Sequence, residues 1–129
     1  DCWDLWMTKM DFSGNTIWEQ VHTMSHIAIN NWYYVNIAPT FDGGYICVGP
    51  TDQYGLDMDA ILMKFDVNGN NEWKQTYGGK NQDIGLSVVQ AKDGGFALLG
   101  RSNSYGNGLY DYFFVKTDSI GQSVLFPGK

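Results

Sequence analysis

A repeat constrains this chain more than any single motif. Asp42-Gly43-Gly44 returns 51 positions later as Asp93-Gly94-Gly95, Gly49 as Gly100, and Tyr54-Gly55 as Tyr105-Gly106. Asp59, Lys64, Asp66 and Gly69 return 52 positions later as Asp111, Lys116, Asp118 and Gly121. The extra residue falls near Asn107-Gly108, which predicts a surface loop. A third, partial copy lies upstream: Asp4, Lys9, Asp11, Gly14 and Trp18 stand 55 positions before Asp59, Lys64, Asp66, Gly69 and Trp73. A fixed period of this size means stacked supersecondary units, none of which buries its apolar face alone. The 129 residues make one domain's worth of chain. They divide into a partial unit 1–32, a unit 33–79 and a unit 80–129.

Each unit reads as short strands. Asp4–Asp11, Asp59–Asp66 and Asp111–Asp118 carry apolar residues on both alternating sets with charge at the ends, as strands buried on both faces do. Gly and Asn recur too often, and β-branched and aromatic residues are too frequent, for helices. Ser13-Gly14-Asn15 and Asn68-Gly69-Asn70 predict type I′ hairpin turns, because Asn-Gly accepts positive φ. Thr16–Val21 and Asn71–Thr76 are the Trp-bearing strands, and Ser123–Phe126 matches them with Leu125 in the Trp place. Tyr33–Pro39 and Gly85–Gln90 form a third strand type. The short apolar runs Tyr45–Gly49 and Phe96–Gly100 form a fourth, expected to be central. His22 to Trp32 is longer and less repeat-like. The reading is all-β, with four antiparallel strands per period.

Charge narrows the partners. The net charge is −6 and the pI near 4.5, against the basic patches that nucleic acid or an anionic membrane surface requires. No apolar run reaches transmembrane length, so membrane insertion is not expected. The chain opens at Asp1 without an initiator Met or a signal peptide, which reads as a mature or excised segment. Cys2 and Cys47 are too few for a disulfide scaffold. They leave two readings, a Cys2–Cys47 bridge or a buried free Cys47.

The order Asp-Gly-Gly-[Tyr/Phe]-x-x-x-Gly, Asp-x4-Lys-x-Asp-x2-Gly-[Asn/Gln], Trp, Tyr-Gly-Gly resembles the β-propeller repeats of bacterial secreted and cell-surface proteins, common in Bacteroidetes lipoproteins. The resemblance covers nearly the whole chain except His22–Trp32. It implies four-stranded blades, about two and a half of them here, where such proteins carry about five to eight. It therefore implies a fragment of a longer chain, or a subunit that closes a ring by oligomerising. It also implies an extracellular or cell-surface location and a module that binds a protein partner or a glycan.

Candidate chemistry is sparse. Asp66-Val67-Asn68-Gly69-Asn70 opens like a calcium loop, but positions six and twelve are Asn71 and Tyr77, where Gly and Glu are needed. Turn capping is the competing role, and no cofactor is expected. The same segments are similar to the Asp-box of sialidase-type propellers, but the spacings from Asp to Gly and from Gly to Trp are each one residue too long. His22 and His26 have zinc spacing for a helix, but Glu is lacking between them and no further ligand lies near. Glu19 and Glu72 are not equivalent in the repeat, so no carboxylate pair for glycoside hydrolysis stands out. The recurring Asp residues read as structural. Trp3, Trp32, Tyr34, Asp52, Asp57, His22, His26 and Arg101 break the repeat. No catalytic residue emerges. The best ligand candidates are Tyr54 with Asp52 and Asp57, and Tyr105 with Asn103 and Asn107, in equivalent loops on one rim. Aromatic faces beside Asp and Asn acceptors suit glycan hydroxyls, whereas the structural alternative packs both tyrosines on neighbouring blades. The expected function is a non-enzymatic surface or secreted binding module. A partial propeller of a glycan-active hydrolase or lyase, and a purely structural envelope subunit, are the alternatives.

Overall fold

The computed structural model describes residues 3–25, 34–52 and 58–123. Among them the chain is all strand and turn, with no helix. Consequently no described helix is long and apolar enough to cross a membrane. The strands are β1 (Trp3–Met10), β2 (Thr16–Ser25), β3 (Asn36–Pro39), β4 (Tyr45–Thr51), β5 (Asp59–Phe65), β6 (Asn71–Tyr77), β7 (Asp83–Gln90), β8 (Phe96–Ser102) and β9 (Asp111–Lys116). They form three antiparallel sheets in sequence order: β1-β2, β3-β4-β5-β6 and β7-β8-β9.

Several sequence expectations shift. β2 runs on through His22 to Ser25, so the first part of the stretch read as less repeat-like is strand. β3 is shorter than expected, starting at Asn36. Full burial on both faces holds for β5 alone. β1 and β9 bury mainly one face, because each lies in a sheet at one end of the stack. Cys47 is a free thiol on a strand buried between sheets, and that burial pushes it up to about 12. Cys2 and the proposed strand at Ser123–Phe126, beyond Ser123 itself, lie outside the described residues.

Five turns share one geometry. In each, a residue i donates its N–H to the carbonyl of i+4, and a glycine at i+3 donates to the carbonyl of i: Asp11/Gly14, Thr40/Gly43, Asp66/Gly69, Ala91/Gly94 and Asp118/Gly121. Only the glycine has positive φ. This is a type I turn followed by a left-handed residue, the usual three-residue hairpin loop. The type I′ expectation fails because Asn68 is not left-handed. The aspartate braces this form of turn: Asp66 Oδ1 accepts the N–H groups of Asn68 and Asn70 at 2.8 and 2.9 Å, and Oδ2 accepts the Asn70 amide. Asp11 repeats these bonds on Ser13 and Asn15, and Asp118 Oδ1 repeats them on Ile120 and Gln122. The carboxylates read as a possible calcium loop therefore spend their oxygens on the turn.

The Asp-Gly-Gly turns hold the other strand ends together. Lys64 Nζ lies 2.7 Å from Asp42 and 2.8 Å from Glu72. Asp42, one of the recurring aspartates read as structural, is thus a partner of Lys64. The Lys64 hydrogen bond, then that of Thr40 Oγ1, then the Gly44 N–H, hold the Asp42 carboxyl well below the usual carboxylate range. Burial pulls the Lys64 ammonium down, and its bonds to Asp42 and Glu72 outweigh that pull. The equivalent pair, Lys116–Asp93, is formed at 2.7 Å in the last sheet, where Lys116 is 41% exposed against 5% for Lys64.

Successive sheets stack through a repeated joint. At the first joint Met7, Met24 and Trp18 pack on Tyr45, Cys47, Ile61, Met63 and Phe65. At the second, Ile46, Val48, Leu62, Trp73 and Tyr77 pack on Val88, Phe96, Leu98 and Val115. Trp18 and Trp73 stand edge-on to Tyr45 and Phe96, with centroids 6.1 and 5.6 Å apart. Each indole also covers the left-handed glycine of the next sheet's turn. A Cβ on Gly69 would lie 2.7 Å from the Trp18 ring, and one on Gly121 2.7 Å from the Trp73 ring. His22 Nε2 lies 2.8 Å from the Gly69 carbonyl, and the Tyr77 hydroxyl donates to the Gly121 carbonyl. His22, which has zinc spacing to His26 but lacks further ligands in the sequence, is on a strand and serves this joint; His26 lies outside the described residues.

The joint predicts a ranking among three glycines with the same backbone. Gly14→Ala, with open space around its Cβ, should cost about 1 kcal/mol in urea unfolding, the strain of a left-handed alanine. Gly69→Ala and Gly121→Ala should each cost at least about 1 kcal/mol more, from overpacking against tryptophan. Equal costs at all three would show that the indoles do not press on the turns.

Candidate functional site

The rim carrying the expected ligand residues is tied together by its own polar groups. Asp83 is fully buried, and its Oδ2 accepts the Gly79 N–H at 2.7 Å and the Ser104 hydroxyl at 2.6 Å. Ser104 Oγ in turn accepts the Asn81 N–H. Asn103 Oδ1 accepts the Gln82 N–H at 2.6 Å, and its carbonyl accepts the Asn81 side chain. The Tyr105 hydroxyl donates to the Gly78 carbonyl at 3.0 Å. The loop after β8 is thereby clasped to the loop after β6.

Of the six ligand candidates, the structure brings Tyr105 and Asn103 together, both engaged in that clasp. Asn107 is exposed nearby, its N–H donating to Asp111 Oδ2. Asp52 is buried at the end of β4. Tyr54 and Asp57 lie outside the described residues. Sequence reasoning missed Asp83 and Ser104. The available signal was that Asp83 breaks the repeat, standing where the preceding unit has Trp32.

A cleft of about 430 Å³ opens beside this clasp, on the outward face of the last sheet. Tyr34, Ile84, Arg101, Tyr110 and Tyr112 line it. The Arg101 guanidinium sits 4.9 Å from the Tyr110 ring centroid, and the Tyr110 hydroxyl donates to Gln82. Tyr34 and Arg101 are both residues that break the repeat. Three aromatic faces, the Arg101 guanidinium and the Asp111 carboxylate, which also lines the cleft, can stack on and hydrogen-bond a polar, ring-bearing ligand. Among the described residues no three His, Cys, Asp or Glu side chains converge as a metal site.

Both ends of the described stack carry exposed apolar side chains. Phe114 is 62% exposed, although Leu62, its equivalent in the middle sheet, is fully buried. Tyr112, Leu99 and Val89 are exposed beside it. At the opposite end Trp6, Met10, Ile17 and Val21 are exposed, and Trp6 Nε1 donates to Glu19 across β1 and β2. Trp6 stands in the place of Ile61, which is fully buried.

No family model matches this chain, and no curated protein matches it.

The clasp makes a direct prediction. Tyr105→Phe should lower unfolding stability by about 0.5–1 kcal/mol, the worth of one hydrogen bond. A tyrosine reserved for a ligand would tolerate the change with no loss of stability in the free protein.

Proposed function

We propose that this chain is a run of β-propeller-type blades, about two and a half of them, that acts as a non-enzymatic binding and scaffolding module within a larger assembly. Three stacked meander sheets joined by one repeated joint support the propeller arrangement. So does the way β7, the first strand of its sheet, packs on β3, β4 and β5 of the sheet before it. On this reading β1-β2 is the second half of a blade, β3–β6 a whole one and β7–β9 the body of a third. A secreted or cell-surface setting follows from the sequence resemblance alone.

One observation carries the binding function: apolar residues are exposed on both ends of the stack at positions that the repeat buries elsewhere, Phe114 against Leu62 and Trp6 against Ile61. Contiguous apolar surface of this kind marks protein contact. Charges at the two ends can pair. Asp4 and Glu19 are exposed on the first sheet, and Arg101 on the outward face of the last. A further sheet would therefore continue the stack from tail to head. A second reading, glycan binding, is favoured by the cleft of Tyr34, Tyr110, Tyr112 and Arg101. It competes for the same outward face.

Light scattering of the purified chain at rising concentration tests the proposal. The expected mass exceeds the 14.5 kDa of one chain and grows with concentration. Phe114→Lys, at an exposed site, should return it to one chain's mass. A single-chain mass at every concentration, or association indifferent to Phe114→Lys, would overturn the end-face reading.

A further inference from the structure

At two places an asparagine stands directly before a glycine, Asn68-Gly69 and Asn107-Gly108. The backbone nitrogen of a following residue can attack an asparagine side chain, and a glycine there puts no Cβ in the way. By sequence the two places are alike. The fold separates them.

Asn68-Gly69 sits inside the braced turn between β5 and β6. The Gly69 nitrogen, which would be the attacking atom, donates its proton to the Asp66 carbonyl at 3.1 Å. The N–H groups of Asn68 and Asn70 are tied to Asp66 Oδ1. The Trp18 ring covers Gly69, and His22 Nε2 lies 2.8 Å from the Gly69 carbonyl. Attack there requires the turn to open and the joint to loosen with it. Asp42-Gly43 and Asp93-Gly94 could close the same ring by losing water. Each of these carboxylates is ion-paired, with Lys64 or Lys116, and an ionised carboxylate offers the nitrogen no group to displace. The Gly43 and Gly94 N–H groups also donate to the Thr40 and Ala91 carbonyls.

Asn107-Gly108 lies in the loop between β8 and β9, and both residues are exposed. The glycines on either side of Asn107 have φ of 102° and 142°. A Cβ on Gly108 would meet nothing within 4 Å. The Gly108 N–H donates to no group among the described residues. The pair is anchored through the Asn107 N–H, which donates to Asp111 Oδ2 at 3.2 Å. That bond leaves the Asn107 side chain and the Gly108 nitrogen able to approach each other.

We propose that Asn107-Gly108 is a self-modification site, at which the folded chain deamidates itself while Asn68-Gly69 is spared. The Gly108 nitrogen gives its proton to water or hydroxide and attacks Asn107 Cγ. A C–N bond forms, and the side-chain nitrogen takes up a proton and leaves as ammonia. The product is a five-membered cyclic imide. Water then opens the ring. Addition at the side-chain carbonyl gives aspartate at position 107, and addition at the main-chain carbonyl gives isoaspartate. Water is the sole co-reactant. Either product places a new negative charge beside Asp111, and like charges oppose the bond that anchors the loop. Tyr105 and Tyr110 flank the site and hold Gly78 and Gln82, so the change falls on the clasp between the two loops. The end faces do not enter this chemistry, which depends on the loop alone.

Peptide mapping by mass spectrometry of the whole chain, incubated folded at neutral and mildly alkaline pH, tests the proposal. The peptide that holds Asn107 should gain the mass difference of an acid over an amide, divide into aspartate and isoaspartate forms, and convert faster at the higher pH. Asn68 should convert at least about tenfold more slowly, because its turn must first give up a hydrogen bond and the indole contact. In denaturing urea the two should convert at comparable rates. Asn107→Ser, at an exposed position, should remove the more acidic species that builds up on anion exchange. Equal rates at the two places in the folded chain, faster conversion at Asn68, or an Asn107 that stays intact in the folded chain would overturn the proposal.

Discussion

The structure depends on the contact between a tryptophan and a left-handed glycine in the next sheet. The indole lies so close to the turn that a single methyl on Gly69 or Gly121 would meet it at 2.7 Å. The glycine is thus fixed twice, by its positive φ and by the ring over it. Its carbonyl is fixed as well, by His22 in one joint and by Tyr77 in the other. Tyr77 is buried, and burial, with the charge of Asp118 added, pushes its phenol up, so it stays a neutral donor. An apolar stack slides easily. A ring seated on a turn, with a hydrogen bond beside it, sets the sheets in one register.

Charge sits at the strand ends because the strand middles are apolar on both faces. Lys64 is nearly buried on β5 and is tolerated because Asp42 and Glu72 both reach it. Losing both carboxylates would leave the buried ammonium without compensation, which is far more costly than losing a surface pair. The same geometry at Lys116 is more exposed, since no described sheet packs on the outer face of the last one. Position in the stack, not local sequence, decides how much each copy of the motif contributes. That principle also explains Lys9, Ile37, Trp6 and Phe114, each of which departs from its buried or paired equivalent at an end of the described array.

Much of the local structure was legible from sequence. The Asp, Lys and Gly spacings locate strand ends and turns, and Trp18 and Trp73 are placed in the packing between sheets. The turn type was not legible, because Asn-Gly suggests type I′ until the bonds from the Asp66 carboxylate to Asn68 and Asn70 are known. Strand burial was read as uniform, because composition does not say which sheet lies at an end. Tyr105 and Asn103 were placed on one rim from their shared loop, but their engagement with Gly78 and Gln82 depends on contacts between residues distant in sequence. Arg101 and Tyr34 were visible as breaks in the repeat. Their meeting in one cleft with Tyr110 and Tyr112 required the fold.

The central claim is that the tryptophan and the turn glycine act as one unit at each joint. A double-mutant cycle on Trp73 and Gly121 in urea unfolding measures this directly. The account predicts that Gly121→Ala becomes much cheaper once Trp73 is alanine, with a coupling of about 1 kcal/mol or more, and that Trp18 with Gly69 gives the same sign. Additive costs at both pairs would contradict it, and would mean that the sheets are held by general apolar contact alone.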